Sequence, residues 1–225
     1  MLTHFKGCLI DYYHTGSPFP SSGIFARAMT AALRQPRSPM RILEVGPGAG
    51  PMTAQIVRHL CEGDEWDVVE INPVFVRKVE DNFLAAAREH YPTATIRMHE
   101  GPIQTVPLEP GYDVIISSLP MNNFEPEIVT EILTRFHELL KPNGELFFYE
   151  YAWIRPIAGL ISKPANRQRL RSIGQILRTL DGTPGVSKKI VPFNIPPAVK
   201  RSVTSSALAS VCNGNGKDNG STHRQ

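Results

Sequence analysis

The middle of the chain alternates short apolar runs with longer stretches whose apolar residues recur every three or four positions. A short apolar run bounded by turn residues is typical of a strand buried on both faces, and the longer spacing is typical of an amphipathic helix. The short runs lie at residues 41–45, 67–70, 95–98, 112–117 and 146–151. Because helices separate them, we predict an α/β fold with a doubly wound, largely parallel sheet.

Two later segments extend this sheet. Residues 188–191 and 198–203 have the composition of strands and are separated by the proline-rich segment 192–197. Strand-like runs divided by proline are predicted to be neighbouring strands rather than one. With them the sheet becomes seven-stranded and Rossmann-like.

The segments between the first five strands carry helix signals. Helices are predicted over residues 51–60, from residue 73 to about residue 90, and over residues 125–140. Asn72 can cap the second of these helices, and Pro73 fits its first turn. The turn Lys141-Pro142-Asn143-Gly144 then leads into the fifth strand.

Residues 1–40 form a separate predicted unit of amphipathic helices. Leu2, Phe5, Leu9 and Tyr12 recur at steps of three and four, which places them on one face of a short helix. A second helix is predicted over residues 23–33. This unit is expected to act as a lid or membrane contact, and packing on the protein's own core is the alternative.

The strand-helix alternation stops after residue 151. Residues 155–181 are predicted to be a basic insertion within a domain that spans residues 41–204. Residues 205–225 end in a stretch rich in Asn, Gly and Ser, and this composition predicts a disordered tail.

Composition narrows the classes of function. Lys and Arg number 24 against 21 Asp and Glu, so the formal net charge of +3 does not demand a nucleic-acid partner. The three cysteines are widely spaced, which favours a reducing compartment and predicts no bound metal. Residues 1–14 lack an apolar run long enough for a secretory signal or a membrane span, so we expect a cytoplasmic protein that can sit on the inner face of the membrane.

A glycine-rich loop follows the first predicted strand. Gly46, Gly48 and Gly50 have no Cβ atoms and let the backbone approach a ligand closely, at the edge where parallel strands form a ligand crevice. Glu70 ends the second strand, where a carboxylate can accept hydrogen bonds from both hydroxyls of a ribose. Together they predict a nucleoside cofactor.

The order of the loop distinguishes two cofactor classes. The dinucleotide fingerprint requires a third glycine where this chain has Pro51. Glu44 and the three glycines instead fit the pattern E/D-x-G-x-G-x-G of class I methyltransferases, whose cofactor is S-adenosylmethionine. Glu44 is suited to orienting the loop or the positive end of that cofactor.

The ends of the next strands complete the predicted cofactor site. Ile71, Gly101, Pro102 and Ile103 are expected beside the nucleoside, with the last three against the adenine. After the fourth strand, Ser118 and Leu119 begin a loop where such enzymes hold the methyl acceptor. Because proline fixes the backbone after Leu119, carbonyls there can accept hydrogen bonds from an incoming amine.

The chain resembles the bacterial phospholipid N-methyltransferases of the rhizobial type and the related ornithine-lipid N-methyltransferases. The resembling residues are Glu44–Gly50, Ser118-Leu119-Pro120-Met121 with Asn123-Phe124, Leu140-Lys141-Pro142-Asn143-Gly144 and Phe148–Tyr151. The resemblance covers most of residues 1–204. It implies methylation of the primary amine of phosphatidylethanolamine, in up to three steps, by a peripheral enzyme whose N-terminal helix lies on the bilayer.

Basic residues support a membrane partner independently of that resemblance. Ten lie between Arg155 and Arg201, and Asp181 is the one acid among them. Within the insertion Leu170, Ile173, Leu177 and Leu180 keep helical spacing while arginines fill other faces, as on helices that bind anionic membranes. A solvated basic helix or an RNA-binding face would have the same sequence.

An amine acceptor must lose a proton before it attacks, because a lysine-like amine has a pKa of about 10.4 in solution. Tyr13 and Tyr151 are the first candidates to place the amine or take its proton, and Asn123 is a further one. Tyr12, Tyr149 and Glu150 also border the predicted site. Packing is the alternative role for each tyrosine.

Two other functions share the fold. An RNA adenine N6-methyltransferase would use the basic insertion for phosphates, but Ser118 and Met121 replace the outer Asn and aromatic residue of that family's Asn-Leu/Ile-Pro-Tyr/Phe loop. A catalytically silent cofactor- or lipid-binding protein is the second alternative. The presence of both Glu44 and Glu70 argues against it.

Overall fold

The computed structural model describes residues 23–34, 36–151, 164–191 and 197–214. The strands are β1 (Arg41–Val45), β2 (Glu65–Glu70), β3 (Thr95–Glu100), β4 (Tyr112–Ser117), β5 (Leu140–Tyr151), β6 (Val186–Val191) and β7 (Ala198–Thr204). They form one sheet in the order β3-β2-β1-β4-β5-β7-β6, with β7 antiparallel to both of its neighbours. The predicted seven-stranded α/β fold is confirmed.

The helices are α1 (Gly23–Met29), α2 (Thr53–Val57), α3 (Pro73–Val79), α4 (Ala85–His90), α5 (Pro126–Leu139), α6 (Pro164–Asp181) and α7 (Ser205–Gly214). The π-helical segment Glu80–Leu84 joins α3 to α4, so the predicted helix from residue 73 to about residue 90 is one helical run with a wide turn. The Asn72 side chain caps it by accepting a hydrogen bond from Val74 N at 2.9 Å.

The sheet is covered on both faces, as its apolar central strands require. Leu43 and Ile115 face α5, α6 and α7 in one hydrophobic core. Ile42 and Trp66 face α1, α2 and the α3–α4 run in the other. The chain is therefore a three-layer domain in which β1 and β4 are buried on both sides.

The register of the parallel strands positions the candidate site. Val45 lies opposite both Val69 of β2 and Ser117 of β4, and Glu70 lies opposite Glu100 of β3. Four strands thus end at nearly the same level. The loops that follow them emerge together at one edge of the sheet, which is where open α/β sheets bind ligands.

β5 begins earlier than predicted, because the turn at residues 141–144 lies inside the strand as an irregularity. Tyr112 pairs with Leu140, but Val114 pairs with Glu145, so β5 has extra residues opposite this stretch of β4. Lys141, which is exposed, forms an ion pair with Asp113 at 2.7 Å. The polar turn therefore bulges from the strand instead of preceding it.

The prediction of a disordered tail from residue 205 is wrong for residues 205–214. These residues form α7, and Ala207 and Leu208 are buried against the core that contains α5. Local composition underestimated this segment because tertiary packing of apolar side chains, such as those of Ala207 and Leu208, stabilises it. Residues 215–225 lie outside the described residues.

The basic insertion contains the predicted helix, but its apolar face is not available to a membrane. Leu170 is 6% exposed, and Ile173, Leu177 and Leu180 are 0% exposed in the core beneath α6. Apolar residues at this spacing can face either a membrane surface or a protein core, and here they pack against the sheet. The predicted apolar membrane face of this helix is therefore wrong.

The predicted N-terminal unit is described in part. Its second helix is found as α1 with a following 3₁₀ turn at Ala31–Leu33, and Phe25 and Met29 of α1 are fully buried. The predicted helix that carries Leu2 and Tyr12 lies outside the described residues. None of the helices that the structure describes is both long and apolar enough to cross a membrane.

A buried ion pair fixes the segment before β1. The Arg37 guanidinium donates to both carboxylate oxygens of Asp64, at 2.8 and 2.6 Å, and the Asp64 side chain is 0% exposed. Asp64 also accepts hydrogen bonds from the backbone N–H groups of Met40 and Cys61, both at 2.8 Å. This carboxylate ties three parts of the chain together at the end of the sheet opposite the ligand edge.

We predict that Asp64→Ala lowers the free energy of unfolding by about 3–5 kcal/mol, because it leaves the Arg37 charge without its buried partner carboxylate. Chemical denaturation followed by circular dichroism measures the change. The control is Glu138→Ala, which removes the exposed partner of Arg135 and should cost less than about 1 kcal/mol. Equal losses in the two variants would contradict the role given to Asp64.

Candidate functional site

The loop after β1 requires glycine at three positions. Gly46, Gly48 and Gly50 have φ angles of +69°, +56° and +87°, in a region that other residues rarely adopt. Gly46 N donates to Val69 O at 2.9 Å, and Gly50 N donates to Pro47 O at 2.9 Å. The loop is thus a tight, left-handed path held against the end of β2.

Neighbouring side chains also approach this loop closely. A Cβ atom at Gly46 would lie 2.9 Å from Leu119 Cδ2, and a Cβ atom at Gly50 would collide with the ring of Phe83. Phe83 belongs to the π-helical segment between α3 and α4. The glycines therefore provide space as well as conformation, and their neighbours come from the β4 loop and from the α3–α4 run.

Glu70 connects the end of β2 to the glycine loop. It is 2% exposed, and its carboxylate accepts hydrogen bonds from the backbone N–H groups of Gly48 at 3.0 Å, Ile71 at 2.9 Å and Asn72 at 3.0 Å. Burial raises its pKa, and the three backbone donors oppose that rise. Oε1 accepts two of the bonds and Oε2 one, so acceptor capacity is left on Oε2 for a ribose hydroxyl.

Glu44 is a carboxylate inside the core. It is 0% exposed, and Oε1 accepts a hydrogen bond from Thr53 Oγ1 at 2.9 Å. Its Oε2 has no hydrogen-bond partner among the described residues. Burial raises the pKa of Glu44 to about 8, against the lowering effect of the Thr53 hydroxyl. A nearby cation would favour the charged form of this group.

The loop after β3 begins at the same edge. Gly101 N donates to Glu70 O at 3.0 Å, and Gly101 has a φ of +148°. Ile103 is 3% exposed and packs in the core, whereas Gly101 and Pro102 line an open groove of about 390 Å³ together with Glu100. Ligand pockets generally have volumes of a few hundred Å³ or more. Adenine contacts at Gly101, Pro102 and Ile103 stay predictions.

The loop after β4 lies directly against the glycine loop. Ser118 N donates to Val45 O at 2.8 Å, and Leu119 packs over Gly46. The hydroxyl oxygen of Ser118 is buried and has no hydrogen-bond partner among the described residues. Ser118 and Leu119 therefore lie beside the start of the glycine loop, and their contact with the cofactor stays a prediction.

The predicted acceptor-side residues fare differently. Tyr13 lies outside the described residues, and of Tyr151 the structure describes only the backbone, which pairs with Ala198 at the end of β5. Asn123 lies in the 3₁₀ turn after β4 and is exposed. The neighbouring Asn122 is instead 8% exposed, and its Oδ1 has no hydrogen-bond partner among the described residues.

Tyr149 and Glu150 have structural contacts that compete with catalytic roles. The Tyr149 ring meets Phe25 of α1 edge-to-face, with ring centroids 4.8 Å apart. Glu150 forms an ion pair with Arg201, which also binds Asp181 of α6 at 2.9 Å. These contacts attach α1 and α6 to the end of the sheet.

Sequence reasoning missed three residues that shape the site. Thr53 binds Glu44, Phe83 covers Gly50, and Asn122 is the buried member of an Asn pair. A hydroxyl in the first turn after the glycine loop was a usable signal for Thr53. Nothing in the sequence indicated the π-helical turn that places Phe83, or which of the two asparagines is buried.

Comparison with known proteins supports the identity of the domain. A family model described as a methyltransferase domain matches residues 42–144. Squalestatin hexaketide synthase from Phoma sp. is 30% identical over 146 residues, which are 62% of this chain and 5% of that protein. Squalestatin hexaketide synthase clz14 from Cochliobolus lunatus is 29% identical over the same length and with the same coverage. The chain thus spans about 5% of the length of these relatives.

Solved structures share the fold at low identity. The O-methyltransferase TomG from Streptomyces achromogenes, in complex with SAM, has a TM-score of 0.56 and 15% identity, over 88% of each chain. An O-methyltransferase from Bacillus cereus, in complex with SAH, has a TM-score of 0.53 and 16% identity, over 88% of this chain and 90% of that chain. The seven-stranded sheet has the class I methyltransferase fold, and residues 42–144 are similar to the methyltransferase domain.

Proposed function

We propose that this chain binds S-adenosylmethionine along its glycine loop and methylates the primary amine of a membrane lipid headgroup. Phosphatidylethanolamine is the first choice of acceptor, with successive methylation, and ornithine lipid is the second. The observation that carries the proposal is that the β4 loop contains two buried hydrogen-bond acceptors without partners among the described residues, Ser118 Oγ and Asn122 Oδ1, and that Ser118 N donates to Val45 O at the start of the glycine loop. An amine has the N–H donors that such groups require.

The residues present fit the cofactor. Glu44 offers a buried carboxylate oxygen that has no partner in the described part of the chain, which suits a positively charged group. Glu70 retains acceptor capacity for the ribose at the end of β2. The glycines leave a path without side chains between these two carboxylates. When bound, the cofactor would supply a methyl group on a sulfonium centre.

The chain's own residues would contribute mainly by positioning the acceptor and excluding water. Displacement at a sulfonium carbon needs the amine lone pair in line with the methyl group, so a rigid acceptor loop lowers the barrier. Tyr13, Tyr151 and Asn123 are proposed to place the amine or take its proton. Glu150 is a weaker candidate because Arg201 engages its carboxylate.

Contact with the membrane is proposed to depend on charge. The described basic residues that are exposed on α6 and β6 are Arg167, Arg171, Arg178, Lys188 and Lys189. Each basic residue near an anionic surface contributes about 1 kcal/mol, so a group of them can dock the protein reversibly. Because the apolar face of α6 is internal, docking of this helix would be electrostatic and would weaken with salt.

An RNA acceptor is less well supported by the geometry. Met121 is 1% exposed and packs in the core, and Phe124 packs against the same core. A base removed from its stack needs an aromatic or apolar face beside it. Met121 offers no such face and Phe124 is partly occupied by the core, so RNA is treated as an alternative outcome of the lipid experiment.

Glu44→Gln should remove a proton linkage from cofactor binding. Because burial puts the pKa of Glu44 at about 8, a cation that contacts the carboxylate releases its proton, and wild-type affinity should rise with pH by up to about tenfold per unit below pH 8. Calorimetry at pH 6 and pH 7.5 measures this. The Gln variant still shows any pH dependence that comes from titration of the ligand itself. An equal rise of affinity with pH in both proteins would therefore contradict a contact between the cation and the Glu44 carboxylate.

The same substitution has an opposite effect on stability. Folded Glu44 keeps a proton that the unfolded chain gives up between pH 4.5 and about 8, so the wild-type free energy of unfolding falls as pH rises through that window. Glu44→Gln lacks this fall. It should therefore gain stability relative to wild type as the pH rises, while it binds the cofactor more weakly.

Gly50→Ala tests the glycine loop itself. Its φ of +87° and the nearby Phe83 ring make any side chain unfavourable, with a strain of about 1–3 kcal/mol, and the displaced loop should bind the cofactor at least tenfold more weakly. Gly63→Ala is the matched control, because Gly63 has a φ of +81° beside Pro39, away from the loop. It should lose stability but keep cofactor affinity.

Expression in a bacterium without methylated lipids tests the acceptor. Mass spectrometry of the lipid extract should show phosphatidylethanolamine or ornithine lipid shifted in steps of one methyl group. Cells that express Gly50→Ala should lack the shift, and cells that express Gly63→Ala should retain it. In a second experiment, cell extracts are incubated with the protein and methyl-labelled cofactor. Label in RNA or in a hydroxyl-bearing small molecule, with none in lipid, would contradict the proposal.

A further inference from the structure

The turn between β4 and α5 contains an amide whose carbonyl oxygen is not bonded by any of the residues that the structure describes. Asn122 is 8% exposed, and its Oδ1 is buried without a hydrogen-bond partner among the described residues. Leaving a buried carbonyl unmatched is costly, and folded proteins match the great majority of such groups. The unmatched acceptor in the loop after β4 is therefore available to a donor group of a ligand.

This turn is held rigidly from several sides. Met121 N donates to Leu119 O at 2.9 Å, and Asn123 N donates to Pro120 O at 2.8 Å. Met121 anchors the turn in the core. The position of Asn122 is thus fixed by the backbone bonds of its neighbours and not by its own side chain.

Arg169 of α6 fixes the far end of the same turn. Its Nη1 donates to Phe124 O at 3.1 Å, while Nη2 and Nε donate to Asn166 Oδ1 at 2.7 and 3.2 Å. Among the hydrogen bonds that the structure describes, Arg169 is the charged side chain that binds this turn. Because a planar guanidinium loses little conformational freedom on binding, Arg169, oriented by Asn166, can hold the Phe124 carbonyl in one position.

We infer that Asn122, in the turn whose far end is bound by Arg169, selects the methyl acceptor by accepting a hydrogen bond from its N–H through Oδ1. The inference rests on the proposed amine methylation and assigns a residue to it. A neutral amide orients an amine and favours its protonated, unreactive form less than a carboxylate would. A carboxylate at the same place would stabilise the ammonium and delay its deprotonation to higher pH.

Asn122→Leu and Asn122→Asp test the inference on full-length protein. The acceptor is a vesicle of phosphatidylethanolamine and phosphatidylglycerol, with labelled S-adenosylmethionine as donor. Asn122→Leu should raise the KM for phosphatidylethanolamine at least tenfold, with cofactor affinity within twofold of wild type. Its Tm should rise by about 2–4 °C, because an apolar side chain of similar volume removes the unmatched carbonyl. A structural Asn122 would instead lower Tm.

Asn122→Asp provides a second readout. Its kcat at neutral pH should fall and recover as the pH rises, which shifts the pH profile of kcat upward relative to wild type. Asn143→Ala, in the exposed bulge of β5, is the control and should match wild type in KM, kcat and Tm. An unchanged KM in Asn122→Leu, or a loss confined to Asn123→Ala, overturns the inference.

Arg169→Lys and Arg169→Ala separate positioning from contact. Both should raise the KM for the lipid with little change in cofactor affinity, and Lys should recover part of the loss because it can still donate to Phe124 O. If vesicles accept no methyl group while another fraction of a cell extract is labelled, the proposed function fails. The Asn122 variants are then assayed on that fraction, where unchanged labelling refutes the role of Asn122 separately.

Discussion

The alignment of strand ends in the parallel sheet is the constraint on which the site depends. Val45 pairs with Val69 on one side and with Ser117 on the other, so three neighbouring strands finish at one level. The loops that follow are therefore crowded together, and the glycines after β1 make room because they have no side chains. Glu70 stabilises the arrangement by bonding to the backbone of both loops that it adjoins. The ligand edge is thus a direct product of strand register.

Much of the fold was predictable because its signals are local and repeated. Apolar runs buried on both faces identified the strands, and Asn72 with Pro73 identified the start of a helix. Segments whose state depends on tertiary contacts were not predictable. Residues 205–214 were assigned to a disordered tail, yet they form a helix whose Ala207 and Leu208 are buried in the core that contains α5. The apolar face of α6 has the spacing of a membrane helix and belongs to the core.

In the candidate site, too, features with local sequence signals were predictable and features that depend on tertiary contacts were not. The glycine loop and Glu70 were predictable, since their chemistry follows from residue type and from distance along the chain. Their partners were not, because Phe83 and Asn122 reach the site through a π-helical turn and a 3₁₀ turn that leave no pattern in the sequence. The exposed arginines of α6 remain suited to an anionic partner, although their helix is anchored inward.

The π-helical segment Glu80–Leu84 has an evolutionary consequence. A π turn is equivalent to one residue inserted into an α-helix, and each residue of an α-helix turns the chain by about 100°. Deleting one residue before Phe83 would restore regular α-helical geometry to the α3–α4 run, but it would rotate the Phe83 ring away from Gly50. The first and last turns of the run would keep their present residues. Insertion and deletion in this helix is thus a route by which related sequences could open or close the space above the loop without changing a single residue of the loop itself.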